Sequence, residues 1–372
     1  MKYKFLICAL CFHLIVNNAL GQQKQYWKGK IENKNGVKII INPKEPWFSE
    51  DIFELKDELT IGEAEGQKES MFSRISGIAV DNEERIYVLD YKEAHIRVYD
   101  VNGDYLKTIG RAGQGPGELA LPYSICLTEQ DQIMIQDLNN HRMLFFSLDG
   151  KYLKSISTAE FIMVGSWVDS QGDIIGLVST SGPEEQILEL KKFNQKLVTL
   201  NSFYSFSRAR KRSGFNPFMP ELCWAVDSND FIICGYSENY EIQIFNPEGK
   251  TIRKIIKDFE KVSITADERE RAKKRLPGPM KLDAPKYHPA FQSITVDDVG
   301  RIFVQTWEKT KDKSAFFFDI FDSKGRYIAK IPMRFRPRIL KKGKFYSVEE
   351  DDDGFQFVKR YKMVWNKGLS SH

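Results

Sequence analysis

ISGIAVDNEERIYVLDYKEAHIRVYDVNGDYLKTIG runs from Ile75 to Gly110, and PYSICLTEQDQIMIQDLNNHRMLFFSLDGKYLKSIS runs from Pro122 to Ser157. The two stretches share one plan. A β-rich run breaks at a polar turn, a second run ends in Asp, a third is opened by Arg, and Asn-Gly or Asp-Gly leads into a last strand. Gly103 and Gly150 hold equivalent turns 47 residues apart, within the roughly 40–50 residues that one four-stranded propeller blade needs. Blades of that size close into a ring, because a lone blade cannot bury its faces.

Three more copies follow with weaker spelling, at Met163–Leu200, Glu221–Ile256 and Phe291–Ile331. Val-Asp pairs at 80–81, 168–169, 226–227 and 296–297 mark the same corner in four of the five. Beyond them lie three strand candidates, Ile339–Lys342, Lys344–Val348 and Phe355–Met363. Asp51–Ile61 is the strand that completes a sixth blade, so both ends of the chain share one sheet and hide its edges. The expected fold class is all-β: a six-bladed β-propeller of four-stranded antiparallel blades, its sixth blade closed by N- and C-terminal strands, forming one domain over residues 37–366. Residues 22–36 read as a polar, unpatterned, flexible lead, and Val37–Ile41 as a strand with no blade of its own.

Residues 1–21 carry Lys2 and Lys4, an apolar run from Phe5 to Val16, and Ala19-Leu20-Gly21, the layout of a secretory signal peptide. The apolar run falls short of the roughly 20 residues that span a bilayer. The expected location is therefore outside the cytoplasm, in periplasm, cell envelope or medium, with membrane contact only during export. Formal charge is +4 for the whole chain and +2 once residues 1–21 are removed. So small an excess argues against nucleic-acid binding, which shows as a strong basic surplus. Of the cysteines left, Cys223 and Cys234 would face each other across a four-residue turn Asp227–Asp230, near disulfide range. Two reduced core thiols are the alternative.

Asp137-Leu138-Asn139-Asn140-His141-Arg142 resembles the Asp-x-x-Asn-x-Arg strand motif of NHL-repeat propellers, and Gly113–Pro122 resembles their glycine-rich connection between blades. Residues 39–365 also resemble the secreted six-bladed propellers of Bacteroidetes-type bacteria. In blade one Glu93-Ala94 stands where the motif's Asn belongs. The resemblance implies the fold. It also implies a rival activity, since some related propellers are lyases or lactonases with a metal on the ring axis held by His, Asp, Asn or Glu. Ca or Zn would be needed only under that alternative. No catalytic residue or cofactor is otherwise expected, and no histidines stand at metal-ligand spacing.

Gly113-Gln114-Gly115-Pro116-Gly117-Glu118 lacks the Lys-Ser/Thr ending and following helix of a phosphate loop, so it reads as a structural connection. Glu349–Gly354 lacks the alternating oxygen ligands of a calcium loop and reads as a solvated turn. The long connections 111–121, 202–220 and 257–289 all join the outer strand of one blade to the inner strand of the next, and so emerge on one face. Two are rich in basic and aromatic residues, Phe203–Arg212 and Arg269–Arg275, the latter a helix with a Thr265/Glu268 capping box. Ligand-binding candidates on that face are Arg74, Tyr123, His141, Arg208, Arg210, Arg212, Tyr236, His288 and Trp307. The expectation is a monomeric binding or scaffolding module for a protein or carbohydrate ligand; a structural part of an envelope complex is a further alternative.

Overall fold

A computed structural model describes residues 26–49, 52–160, 162–182, 184–209, 215–276 and 280–366. Residues 1–21, read as a signal peptide, lie outside them.

Six antiparallel blades form a ring. Blade one consists of Ile75–Val80, Ile86–Asp90, His95–Tyr99 and Tyr105–Ile109, from axis to rim, and blade two of Pro122–Leu127, Gln132–Asp137, Arg142–Ser147 and Tyr152–Ser157. The inner strands of the other blades are Ile162–Val168, Leu222–Val226, Ser293–Val296 and Ile339–Lys341. Burial follows position. Every residue of Ile86–Asp90 is buried, as expected for a strand packed on both faces. The rim strand Tyr152–Ser157 alternates between half-buried and exposed residues because one of its faces meets water.

The cores lie between blades rather than within them. Tyr87, Leu89 and Ile96 of blade one pack with Ile133, Ile135 and Leu144 of blade two. Closure comes where the sequence places it. Phe53–Ile61 pairs antiparallel with Gln356–Trp365, from Val358↔Ile61 to Trp365↔Phe53. Ile61, Tyr346 and Val358 then pack with Ile78, Val80 and Val88 of blade one.

The recurring corner aspartates have a physical role. Asp81, Asp169, Asp227 and Asp297 each accept the backbone N–H groups two and four residues on, at 2.7–3.1 Å. Their carboxylates thus satisfy the turn that joins the two innermost strands.

Two expectations need correction. The Asp227 turn closes on Phe231, whose carbonyl accepts the Asp227 N–H at 3.0 Å, with Asp230 at φ 61°. That extra residue shifts the register, so Cys223 lies opposite Gly235 and Cys234 opposite Trp224. The two thiols fall on opposite faces of the sheet, and both are free.

The stretch read as a flexible lead contains a strand. Lys30–Lys34 pairs with Val37–Asn42 through Asn35-Gly36, at φ 52° and 80°, the two-residue turn that Asn-Gly favours. The hairpin extends blade four by parallel pairing with its rim strand, Thr251–Lys257. The chain then crosses blade five, where Trp47 and Phe48 donate to the carbonyls of Tyr327 and Ile328.

Candidate functional site

The glycine-rich connection is held by the motif residues. Asp137, fully buried, accepts the N–H groups of Ala120 and Leu121. Asn140 donates to the Gly113 carbonyl at 3.1 Å, and Arg142 to the carbonyls of Gly115 and Glu118 at 3.0 and 2.8 Å. Glu118 folds back onto the Gly115 N–H at 2.9 Å. The loop's donors and acceptors are thus used internally, as in a structural connection. In blade one, register places His95 where Arg142 stands in blade two, while Arg97 reaches the neighbouring connection through the Met71 carbonyl.

The face carrying the long connections gathers the candidates into three groups. On blades three and four, the Phe206 and Tyr236 rings lie 4.5 Å apart and the Arg208 guanidinium sits 5.2 Å from the Phe206 ring. Arg208 donates to the Pro220 carbonyl at 3.1 Å, so it fastens its own loop. Arg210 and Arg212 lie outside the described residues.

The second group sits beneath the helix Ala266–Lys274 (α1), which buries none of its own residues. Thr265 and Glu268 form the expected capping box. The Glu268 carboxylate also accepts from Lys309 Nζ at 2.9 Å and His288 Nε2 at 3.2 Å. Burial works to raise the Glu268 pKa, but the Thr265 N–H, Lys309 and His288 outweigh it and hold it at about 2. Desolvation lowers the His288 pKa, so the ring is neutral at pH 7. An ionised carboxylate only accepts, so Nε2 carries the proton. His288 stacks on Trp307 at 4.0 Å and 9° and meets Phe218 edge-on. With its side chain 1% exposed, His288 is an internal support for the cap.

The third group surrounds the axial mouth, and sequence reading missed its main members. Between the rim strand Tyr327–Met333 of blade five and the inner strand of blade six, the chain crosses the face as Arg334-Phe335-Arg336-Pro337-Arg338. Burial alternates, with the three arginines exposed, Phe335 half-buried and Pro337 buried. The backbone is fixed. The Pro337 carbonyl accepts from Thr295 Oγ1 at 3.4 Å, and the Arg338 N–H donates to the Tyr346 carbonyl at 2.8 Å.

Arg334 borders a groove of about 310 Å³ shared with Asp57 and Glu349, where charge is balanced. Arg336 and Arg338 have no such balance: among the described residues, neither guanidinium has a hydrogen-bond acceptor or an acidic partner. Both are exposed on the face that bears the long connections. Desolvation lowers both pKa values, and the charge of Arg338 lowers that of Arg336 further. Tyr123 of blade two and Cys223 of blade four each stand second in their inner strand, at the end from which the crossing enters blade six, and the Arg336 charge works to lower the Cys223 pKa. Burial pushes the Cys223 thiol up to about 12 despite that arginine. Tyr123 is 45% exposed at the start of its inner strand.

Arg74 is exposed on the same face, 3.9 Å from Glu350. His141 has φ 46° and closes its turn through backbone bonds to Leu138 and Thr158. Among the described residues no group of three or more His, Cys, Asp or Glu side chains comes together as a metal site. Nor is any helix there long and apolar enough to cross a membrane.

A family model for a 6-bladed beta-propeller, DUF5128, matches residues 45–171. No curated protein matches the chain. Among solved structures it is similar to a candidate exported protein from Bacteroides fragilis, with 12% identity and a TM-score of 0.58 over 88% of this chain and 100% of that one. A member of the DUF4221 family from Bacteroides vulgatus shows 12% identity and a TM-score of 0.50 over 84% of this chain and 99% of that one. Likeness at such identity carries the fold alone.

Proposed function

We propose that this chain is an exported, NHL-like propeller that acts as a binding or scaffolding module and takes its ligand on the face bearing the long connections. The observation that carries the reading is the pair Arg336 and Arg338, two permanent charges exposed on that face with no acid to neutralise them among the described residues. Like charges left without an internal partner raise the local potential and favour a ligand of opposite sign. The same charges repel a divalent cation on the axis, which weighs against a metal-assisted lyase or lactonase.

Retention of the full chain on arrays of acidic glycans and acidic proteins tests the reading. Arg336→Glu with Arg338→Glu should abolish retention that the unaltered chain shows at low salt. Equal retention by both would sink it. Export is tested by fractionation: processing near Gly21 and recovery from the envelope or medium are expected, whereas an uncleaved cytoplasmic product would overturn it.

A further inference from the structure

We infer that the groove bordered by Arg334, between blades five and six, is a site for a small zwitterion with an apolar body, its carboxylate on Arg334 and its ammonium on Asp57. The groove holds about 310 Å³, near the lower end of the roughly 300–1,000 Å³ usual for small-molecule pockets. It does not rest on Arg336 and Arg338, neither of which lines it.

Sheet register builds one wall. Phe345 pairs with Tyr361, and Tyr361 with Asp57, across three neighbouring strands of blade six, and directly paired residues share a face. That face is turned to blade five, where Phe345, Tyr361 and Leu55 pack with Phe318 and Ile331. A bulge fixes the side on which Asp57 stands. Arg360 pairs with Leu59 and Tyr361 with Asp57, so Glu58 is an extra residue. Before it the strand turns Phe53 and Leu55 toward blade five; beyond it Leu59 and Ile61 pack toward blade one. The opposite wall is Arg334 with Phe335, where the chain leaves blade five, and the Arg334 guanidinium stands 5.5 Å from the Phe335 ring.

Four charged side chains line the groove, two of each sign. One pair is already used internally. Glu349, 6% exposed, accepts from the hydroxyls of Tyr361 and Ser347 at 2.6 and 2.7 Å and lies 3.6 Å from Lys359 Nζ. Arg334 and Asp57 remain, both exposed and, among the described residues, without a hydrogen-bond or ion-pair partner. A lining of zero net charge favours neither a simple anion nor a simple cation. An unlike pair left open beside Phe335 and Tyr361 matches a molecule that carries both charges and an apolar part.

A free apolar amino acid and a short apolar peptide share that chemistry. Calorimetric titration of the full chain with phenylalanine and with leucyl-phenylalanine, each also as its methyl ester and its N-acetyl derivative, separates them. At least one zwitterion should bind, and the tighter names the source. Its ester, which lacks the carboxylate, and its N-acetyl form, which lacks the ammonium, should each bind about tenfold more weakly. Arg334→Gln and Asp57→Asn should each weaken the zwitterion by about tenfold and leave the melting temperature unchanged, since neither side chain has an internal partner. Each should also erase one discrimination, that against the ester for Arg334→Gln and that against the N-acetyl form for Asp57→Asn. Arg336→Gln with Arg338→Gln should leave this binding in place, so array retention and zwitterion binding report on different sites. Binding of neither zwitterion, blocked forms that bind as tightly as the free ones, or binding unchanged in both Arg334→Gln and Asp57→Asn would overturn the assignment.

Discussion

Arg142 and Arg336 show how one side-chain type serves two ends. Arg142 is spent internally: it ties two loop carbonyls to blade two and lies 3.4 Å from the fully buried Asp137. Arg142→Leu should cost about 2–3 kcal/mol in denaturant unfolding, since it strands buried acceptors. Arg336→Gln should leave the melting temperature unchanged or raise it, because no internal partner is lost and a like charge is removed from beside Arg338. A fall comparable to that of Arg142→Leu would mean that Arg336 has an internal partner. Only the first role was legible in the sequence, through the Asp-x-x-Asn-x-Arg spacing. The second depends on a missing acid, and an absence in space leaves no local pattern. Strand position places His288 and Trp307 near the mouth and so predicts them as ligand contacts. Stacking beneath the cap encloses His288 instead.

At the scale of elements, α1 and the N-terminal hairpin are additions to the ring held in opposite ways. The helix buries no residue and is tied down by Glu268 and by Arg269, which donates to the Ala284 and Pro285 carbonyls. With a folded pKa of about 2, below its ordinary 4.5, Glu268 stabilises the cap fully above pH 4.5, and that contribution disappears as pH falls toward 2. Protection factors across 266–274, taken relative to the intrinsic exchange rate at each pH, should therefore fall on acidification before the global transition, and Glu268→Gln should reproduce this at pH 7. Unchanged protection would contradict the latch. The hairpin, in contrast, is sewn in by Asn42. That side chain is 1% exposed, accepts from the Tyr327 N–H at 2.8 Å and donates to the Gly325 carbonyl at 3.0 Å. Asn42→Ala should cost about 2–3 kcal/mol in the same unfolding measurement. The Asn-Gly turn at 35–36 announced this hairpin, but the polar Lys30–Lys34 concealed it, because a strand added at an exposed rim needs no apolar alternation.

For the whole molecule, the ring was readable because blades one and two spell the same plan 47 residues apart, because four blades share the corner Asp, and because both chain ends carried strands without a sheet. What could not be read was the centre of the loop-bearing face. The inner strands of blades two, four and six all begin on that face, and nothing local in the sequence ties Tyr123 or Cys223 to Arg336 and Arg338. Ring closure alone sets those neighbours, so the Phe53–Ile61 strand positions the site without touching it. The most direct check is an anomalous difference map from a crystal of the full chain soaked in selenate. A peak bridging the Arg336 and Arg338 forks is the expected result. Selenate peaks elsewhere on the protein, with none at that pair, would contradict the account.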